Sequence, residues 1–304
     1  MPDLRFADGV LFFPVTAFDA DDRIDLEVLE QHIARGVDAG PGAVFAACGT
    51  GEYHALALEE YELAVRTAVT ATAGRVPVVA GVGGPLGHAR SCARLAADAG
   101  AEALLVMPPY LVQGPQAGLV AYVDAIIAAS DLPVIVYHRG TAKFTTDSVV
   151  RLLERERVVG IKDGVGDVAL AQEFVLAAER SGRGDILFFN GLLTAELSQA
   201  AYAAIGVPLY SSAVFAMAPD IATAFYRAYR AGDVSAQRRL LDGFYAPLVR
   251  QRDETPGFAV SLIKAGIRLS GLEVGAVRAP LVDPDERQLA RLGDLLEQGR
   301  ALLP

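Results

Sequence analysis

The chain has 304 residues, 52% of them hydrophobic, and a formal net charge of −10. An acidic surplus with no run of Lys or Arg argues against a phosphate backbone or an anionic membrane as partner and leaves small anions open. Two cysteines, Cys48 and Cys92, do not make a disulfide framework, and the first residues lack a basic segment followed by an apolar run; the expectation is a cytoplasmic enzyme.

Taken in order, short apolar strands alternate with amphipathic helices. Strands are predicted at residues 10–18, 43–49, 76–82, 103–108, 133–138, 158–163, 186–191 and 208–213. Helical patterns follow them at 26–39, 58–73, 86–99, 117–129, 146–156, 168–181, 194–205 and 219–231. Eight βα units with strands too apolar for a one-sided sheet specify an α/β fold, most simply a closed (β/α)8 TIM barrel. A doubly wound sheet is the alternative, but no Gly-x-Gly-x-x-Gly follows the first strand. The uncharged stretch 197–219 is broken near its middle by Gly206, Pro208 and Ser211-Ser212 and reads as a buried helix followed by a buried strand. Beyond residue 233 the strand signal stops, and helical patterns at 235–252, 258–269 and 284–303 follow without a low-complexity linker. The chain therefore divides into a barrel, 1–233, and a C-terminal helical extension, 234–304, expected to pack on it.

Active sites of such barrels form at the C-terminal ends of the strands, so those ends carry the functional reading. The sixth strand reads Val158-Val159-Gly160-Ile161-Lys162-Asp163-Gly164. A lysine in that position either snorkels to solvent or has its ammonium drawn out of water, which lowers its pKa toward ~7–8, where a free amine attacks carbonyls to form a Schiff base. The fifth strand places Tyr137 at the same depth on the neighbouring strand. There a phenol either shuttles protons to a lysine adduct or serves as a core aromatic. The second strand ends in Cys48-Gly49-Thr50-Gly51-Glu52, whose glycines and hydroxyl suit a carboxylate or simply a tight turn. Asn190-Gly191 and Ser211-Ser212, at the ends of strands seven and eight, are candidates for substrate hydroxyls or for close packing. Histidines at 32, 54, 88 and 138 show no ligand spacing, so neither a metal nor a cofactor is expected.

Over nearly its whole length the chain resembles the Schiff-base lyase superfamily of dihydrodipicolinate synthase and N-acetylneuraminate lyase. The carriers are Gly49-Thr50-Gly51-Glu52, Pro108-Pro109-Tyr110, Tyr137 and Lys162. Four longer stretches, Gly160 to Asp167, Tyr210 to Phe215, Gly257 to Gly266 and Val277 to Leu281, are similar to the branch that dehydrates and decarboxylates 5-dehydro-4-deoxyglucarate. The resemblance implies Lys162 as Schiff-base nucleophile, Tyr137 as proton shuttle and the Gly49-Thr50-Gly51 turn as holder of the carboxylate beside the keto group. It also implies that Tyr110 is an interface residue reaching a neighbouring subunit's site, in a homo-oligomer built as a dimer of dimers. The synthases usually have two threonines where this chain has Gly49-Thr50, so one hydroxyl contact is missing. The branch usually has Asn-Arg after the strand-five tyrosine, and this chain has His138-Arg139. Arg139 is the candidate for the distal carboxylate, which a guanidinium binds in bidentate fashion.

The implied product is 2,5-dioxopentanoate, with loss of water and carbon dioxide. Aldol cleavage of a 2-keto-3-deoxy sugar acid, or synthase-like lyase chemistry, would use the same lysine, and a non-catalytic sugar-acid binding protein would keep the barrel without the chemistry. The expected partner is a small sugar diacid, with no nucleic acid and no membrane.

Overall fold

A computed structural model of the chain describes residues 4–304. The apolar runs become β1 (Leu11–Phe12), β2 (Ala43–Ala46), β3 (Val78–Gly84), β4 (Ala103–Pro109), β5 (Val134–His138), β6 (Val158–Asp163), β7 (Leu187–Asn190) and β8 (Leu209–Ser212). They pair in parallel in chain order, and β8 returns to β1, so the sheet closes into a barrel with no free edge. Around it lie α1 (Leu26–Asp38), α2 (Leu58–Thr72), α3 (Leu86–Asp98), α4 (Gln116–Ile127), α5 (Thr146–Leu153), α6 (Val168–Arg180), α7 (Gln199–Ala204) and α8 (Pro219–Arg230). The C-terminal region adds α9 (Val234–Leu240), α10 (Ala246–Asp253), α11 (Phe258–Leu269) and α12 (Glu286–Ala301). Among the described residues no helix is long and apolar enough to cross a membrane.

The alternation of side chains along each strand creates two cores. Leu11, Phe13, Phe45, Leu105, Ile135 and Phe189 are among those filling the barrel interior, while a larger cluster fills the space between sheet and helices. The first strand is much shorter than its apolar run. Pro14 has no N–H to give a neighbouring strand, and beyond it the Val15 N–H donates to His32 Nε2 and the Phe18 N–H to the Val274 carbonyl. The helix predicted at 194–205 opens as a 3-10 turn at Ala195–Leu197, whose Ala195 carbonyl accepts from the Asn190 side chain. The pattern at 235–252 is interrupted by a wide π turn, Leu241–Tyr245. Pro247 follows two residues beyond it; its ring would clash with the carbonyl four residues back, inside the turn, and widening the turn relieves that.

The extension reaches the catalytic end of the barrel. Gly266 of α11 lies so close to Met217 that a Cβ there would sit 2.5 Å from the Met217 sulfur. That close approach lets the N-terminal half of α11 lean over the mouth.

Candidate active site

Lys162 points into the barrel because β6 carries an irregularity. Val134 of β5 pairs with Val158, but the next residue, Ile135, pairs with Gly160, so Val159 has no partner and Tyr137 comes opposite Lys162. Such an extra residue puts two consecutive positions on the same face, after which the alternation resumes shifted by one. Val159 belongs to the interior cluster and Ile161 to the outer one, which leaves Lys162 inward. Gly160 makes this feasible: a Cβ there would stand 2.8 Å from the Phe189 ring and 3.0 Å from the Leu187 carbonyl oxygen.

The Lys162 ammonium is buried between two aromatic rings, 4.2 Å from the centre of Phe13 and 4.5 Å from that of Tyr137. Burial lowers its pKa to about 7, and the Arg139 guanidinium pushes in the same direction. A substantial fraction of the amine is therefore unprotonated and nucleophilic near neutral pH. The Tyr137 hydroxyl donates to the Gly191 carbonyl at 2.6 Å and accepts from Arg139 Nη1 at 2.8 Å. Burial raises the phenol's pKa, and Arg139 partly offsets this by stabilising the phenolate. Gly191 and Gly164 leave the room these groups need: Cβ atoms there would lie 2.5 Å from Lys162 Cε and 2.8 Å from Tyr137 Cε2.

Above the lysine opens a cavity of about 550 Å³. Its polar lining includes Lys162, Tyr137, Arg139, Thr50 and Ser211, and among the described residues no Asp or Glu side chain belongs to it. In a chain of charge −10, a cavity lined by an arginine and a partly protonated lysine, with no carboxylate among its described lining residues, suits an anion. Gly49 and Thr50 line one wall; Leu192 and Leu193, with Ala259, Val260 and Ile263 of α11, form an apolar side.

Several residues picked out in the sequence lie beside the cavity without lining it. Asn190 and Ser212 occupy outward-facing strand positions. The Asn190 amide donates to the Ala195 carbonyl, Ser198 and Gln199, and Ser212 Oγ donates to buried Glu196 at 2.5 Å. Gly51 acts from behind, its carbonyl accepting from Thr16 Oγ1 at 2.7 Å. His138 also faces outward, against the Phe174 ring, and its Nδ1 accepts the Phe144 N–H at 2.9 Å. The departure at 138 therefore leaves the cavity wall untouched. Tyr110 stands 63% exposed in the loop after β4.

Other lining residues escaped the sequence reading. Phe13 stands in an apolar run, and only the two-residue strand period, counted from Leu11, marks it as inward. Cys48 lines the cavity as a neutral wall, its thiol pushed up to about 12 by burial. Ala259, Val260 and Ile263 lie some hundred residues beyond Lys162, and nothing local links them to it. Among the described residues no group of three or more His, Cys, Asp or Glu is placed to hold a metal ion.

A closed (β/α)8 barrel with a desolvated lysine and a tyrosine facing each other at the C-terminal ends of adjacent strands defines a Schiff-base-forming lyase. The chain belongs to the dihydrodipicolinate synthetase family, whose profile matches residues 6–299. It is 53% identical over 301 residues to a probable 5-dehydro-4-deoxyglucarate dehydratase 1 of Streptomyces coelicolor, covering 99% of this chain and 95% of that protein. A probable 5-dehydro-4-deoxyglucarate dehydratase of Streptomyces griseus is 54% identical over 302 residues, covering 99% and 94%. The same fold is found in the crystal structure of dihydrodipicolinate synthase from Oceanobacillus iheyensis, with a TM-score of 0.89 at 24% identity over 98% of this chain and 97% of that one.

Proposed function

We propose that this protein is a decarboxylating dehydratase of 5-dehydro-4-deoxyglucarate, acting through a Schiff base on Lys162. The observation that carries the reading is the cavity itself: a neutralisable lysine, an arginine and a hydroxyl-bearing turn, with no acidic side chain among the lining residues. The long identity to dehydratases of that name supports the choice of substrate.

The Gly49-Thr50 turn holds the carboxylate adjacent to the keto group, and Arg139 takes the far carboxylate. The Lys162 amine adds to the keto carbon (C2), and loss of water gives an iminium. Tyr137 gives its proton to the carbinolamine hydroxyl as that leaves, takes a C3 proton as the phenolate, and returns it to the C4 hydroxyl, which the enamine expels as water. The iminium is now conjugated to C4. When the C5–C6 bond breaks, carbon dioxide leaves and its electron pair travels through C5, C4 and C3 to the lysine nitrogen. Protonation at carbon, ketonisation of the C5 enol to an aldehyde and hydrolysis release 2,5-dioxopentanoate and free lysine. The diacid is thus shortened by the carbon of its far carboxylate, and the balance closes with one water and one carbon dioxide released for each dioxo acid formed. Ser211 is the residue we assign to the C4 hydroxyl.

Exposed Tyr110, Leu111 and Val112 supply an apolar patch near the mouth, and we read it as the contact between subunits of a dimer of dimers. Residues 1–233 are the catalytic barrel in this reading and 234–304 its extension. Two free buried cysteines fit a reducing compartment, the cytoplasm.

The test is intact mass after borohydride reduction with 5-dehydro-4-deoxyglucarate, using Lys162→Ala as control, together with measured carbon dioxide release. An adduct lacking water and carbon dioxide, absent from the control, is the expected result. An adduct of pyruvate size would replace the dehydratase with an aldolase, and binding without any adduct would remove the role given to Lys162.

A further inference from the structure

The turn after β2 is held in a conformation that its own residues disfavour. Ala47 and Glu52, which bound it, both have left-handed backbone angles, φ +49° and +54°, costly for any residue with a Cβ. Inside it, the Glu52 N–H donates to the Gly49 carbonyl and the Tyr53 N–H to the Cys48 carbonyl, each at 3.2 Å. Strain of this kind persists only where the surroundings over-determine it.

Those surroundings come largely from the C-terminal region. The Glu52 carboxylate is wholly buried; one oxygen lies 2.8 Å from Nζ of Lys264 on α11, also wholly buried, and the other accepts the Arg278 backbone N–H at 2.8 Å. Lys264 also donates to the Ala276 carbonyl at 2.8 Å and lies 4.1 Å from the centre of the Phe18 ring. The Arg278 side chain spreads over Glu60, Asp22 and the Ala55 carbonyl, tying the same tail segment to the chain that follows the turn and to the loop before α1. Lys264 directly follows Ile263 and stands one helical turn beyond Val260, so the helix that walls the cavity also grips the turn from behind. An apolar pair of similar volume would often be at least as stable as buried opposite charges, so stability alone does not account for the pair.

We propose that Lys264 and Glu52 are positioning residues for substrate: their ion pair fixes the Gly49-Thr50 turn in the shape that receives the carboxylate beside the keto group. This rests on the reading of that turn as the carboxylate holder. Neither residue belongs to the cavity lining, and both act through Gly49 and Thr50.

The test compares two carbonyl compounds in borohydride trapping on Lys162: pyruvate, which carries the adjacent carboxylate, and propanal, which does not. In Lys264→Met, half-saturation by pyruvate rises by about tenfold or more while that by propanal stays at the wild-type value. The double variant Glu52→Gln/Lys264→Met removes both charges, so it leaves no buried ion unpaired and folds even where the single variant does not. It shows the same selective loss. Unchanged pyruvate half-saturation in the folded double variant overturns the proposal, and so does an equal loss for both compounds, the mark of general distortion at the mouth. Thr50→Val, with the ion pair intact, separates the two layers. If it leaves the preference for pyruvate unaltered, the carboxylate reading of the turn fails. If it abolishes that preference while the double variant keeps it, the turn stands and the role of the ion pair falls.

Discussion

Tyr137 and Lys162 are partners across β5 and β6 only because Val159, between them and the start of the strand, has no partner of its own. Gly160 is the residue that tolerates this. In Gly160→Ala the new methyl meets the Phe189 ring and the Leu187 carbonyl. Overpacking of this kind costs about 1–3 kcal/mol, and relief requires the local register to move. A lower denaturant midpoint is expected, with a slower borohydride-trapped adduct in the fraction that remains folded. Wild-type trapping at full stability would show that the register does not depend on this glycine.

The acidity of Lys162 sets two pH dependences. The nucleophile is the free amine, so the rate of adduct formation rises as pH passes through about 7 and levels off well below 10.5, the ordinary lysine value. Stability follows the same group. Between those two values the unfolded chain binds more protons than the folded one, so stability contributed by this group is present above pH 10.5 and is lost as pH falls toward 7. Lys162→Met removes that dependence. Its gain in melting temperature over wild type is largest at neutral pH and shrinks as pH rises, which calorimetry at several pH values measures.

Tyr137 and His138 are adjacent in sequence and on opposite faces of the sheet, so their substitutions should separate cleanly. Tyr137→Phe keeps the adduct but lowers turnover by roughly 10²–10⁴-fold, the usual worth of a positioned proton donor or acceptor. His138→Leu leaves turnover at wild type and lowers stability by about 1–3 kcal/mol, because the buried Phe144 N–H loses its acceptor. A large kinetic defect in His138→Leu, at unchanged stability, would contradict the outward placement.

Glu196 is wholly buried behind β8, and burial raises its pKa from 4.5 to about 7. Between those values the folded chain holds a proton that the unfolded chain has lost. The contribution of this group to stability is therefore fully present below pH 4.5 and disappears as pH rises through 7. Glu196→Gln, which cannot ionise, should melt higher than wild type at pH 8, with the difference fading toward pH 5.

The barrel was legible because each strand is a run of apolar residues and each helix is punctuated. Gly40, Gly74, Gly100, Gly182, Gly206 and Gly232, each just beyond a helical pattern in the sequence, all adopt positive φ. The site was legible at the level of strand ends and less so within them. Asn190-Gly191 and Ser211-Ser212 stand out in the sequence as pairs and His138 as the neighbour of Tyr137, but a strand turns only alternate side chains inward, so Ser211 and Tyr137 line the cavity while Ser212 and His138 do not. At the seventh strand the contribution is made by Gly191, through its carbonyl and its missing side chain. Counting back from Lys162 by twos would have put Val158 inside and Val159 outside, because the irregularity at Gly160 leaves no mark in composition. The grip of α11 on the turn was invisible for another reason. Lys264 in an apolar helix and Glu52 in a glycine-rich turn each suggest exposure, and only the folded chain brings them to 2.8 Å.

That grip has a bearing on how the protein is made. The barrel strands leave the ribosome in the order in which they pair, so most of the sheet can assemble as synthesis proceeds. Glu52 is among the early residues, and its cation arrives more than two hundred residues later. A nascent chain, or one clipped before Lys264, carries an unpaired carboxylate at a position the folded protein buries, and its turn lacks the proposed clamp. On the proposed role of the ion pair, competence waits for α11, and a fragment that holds the lysine and the tyrosine but ends before Lys264 lacks the means to shape the turn.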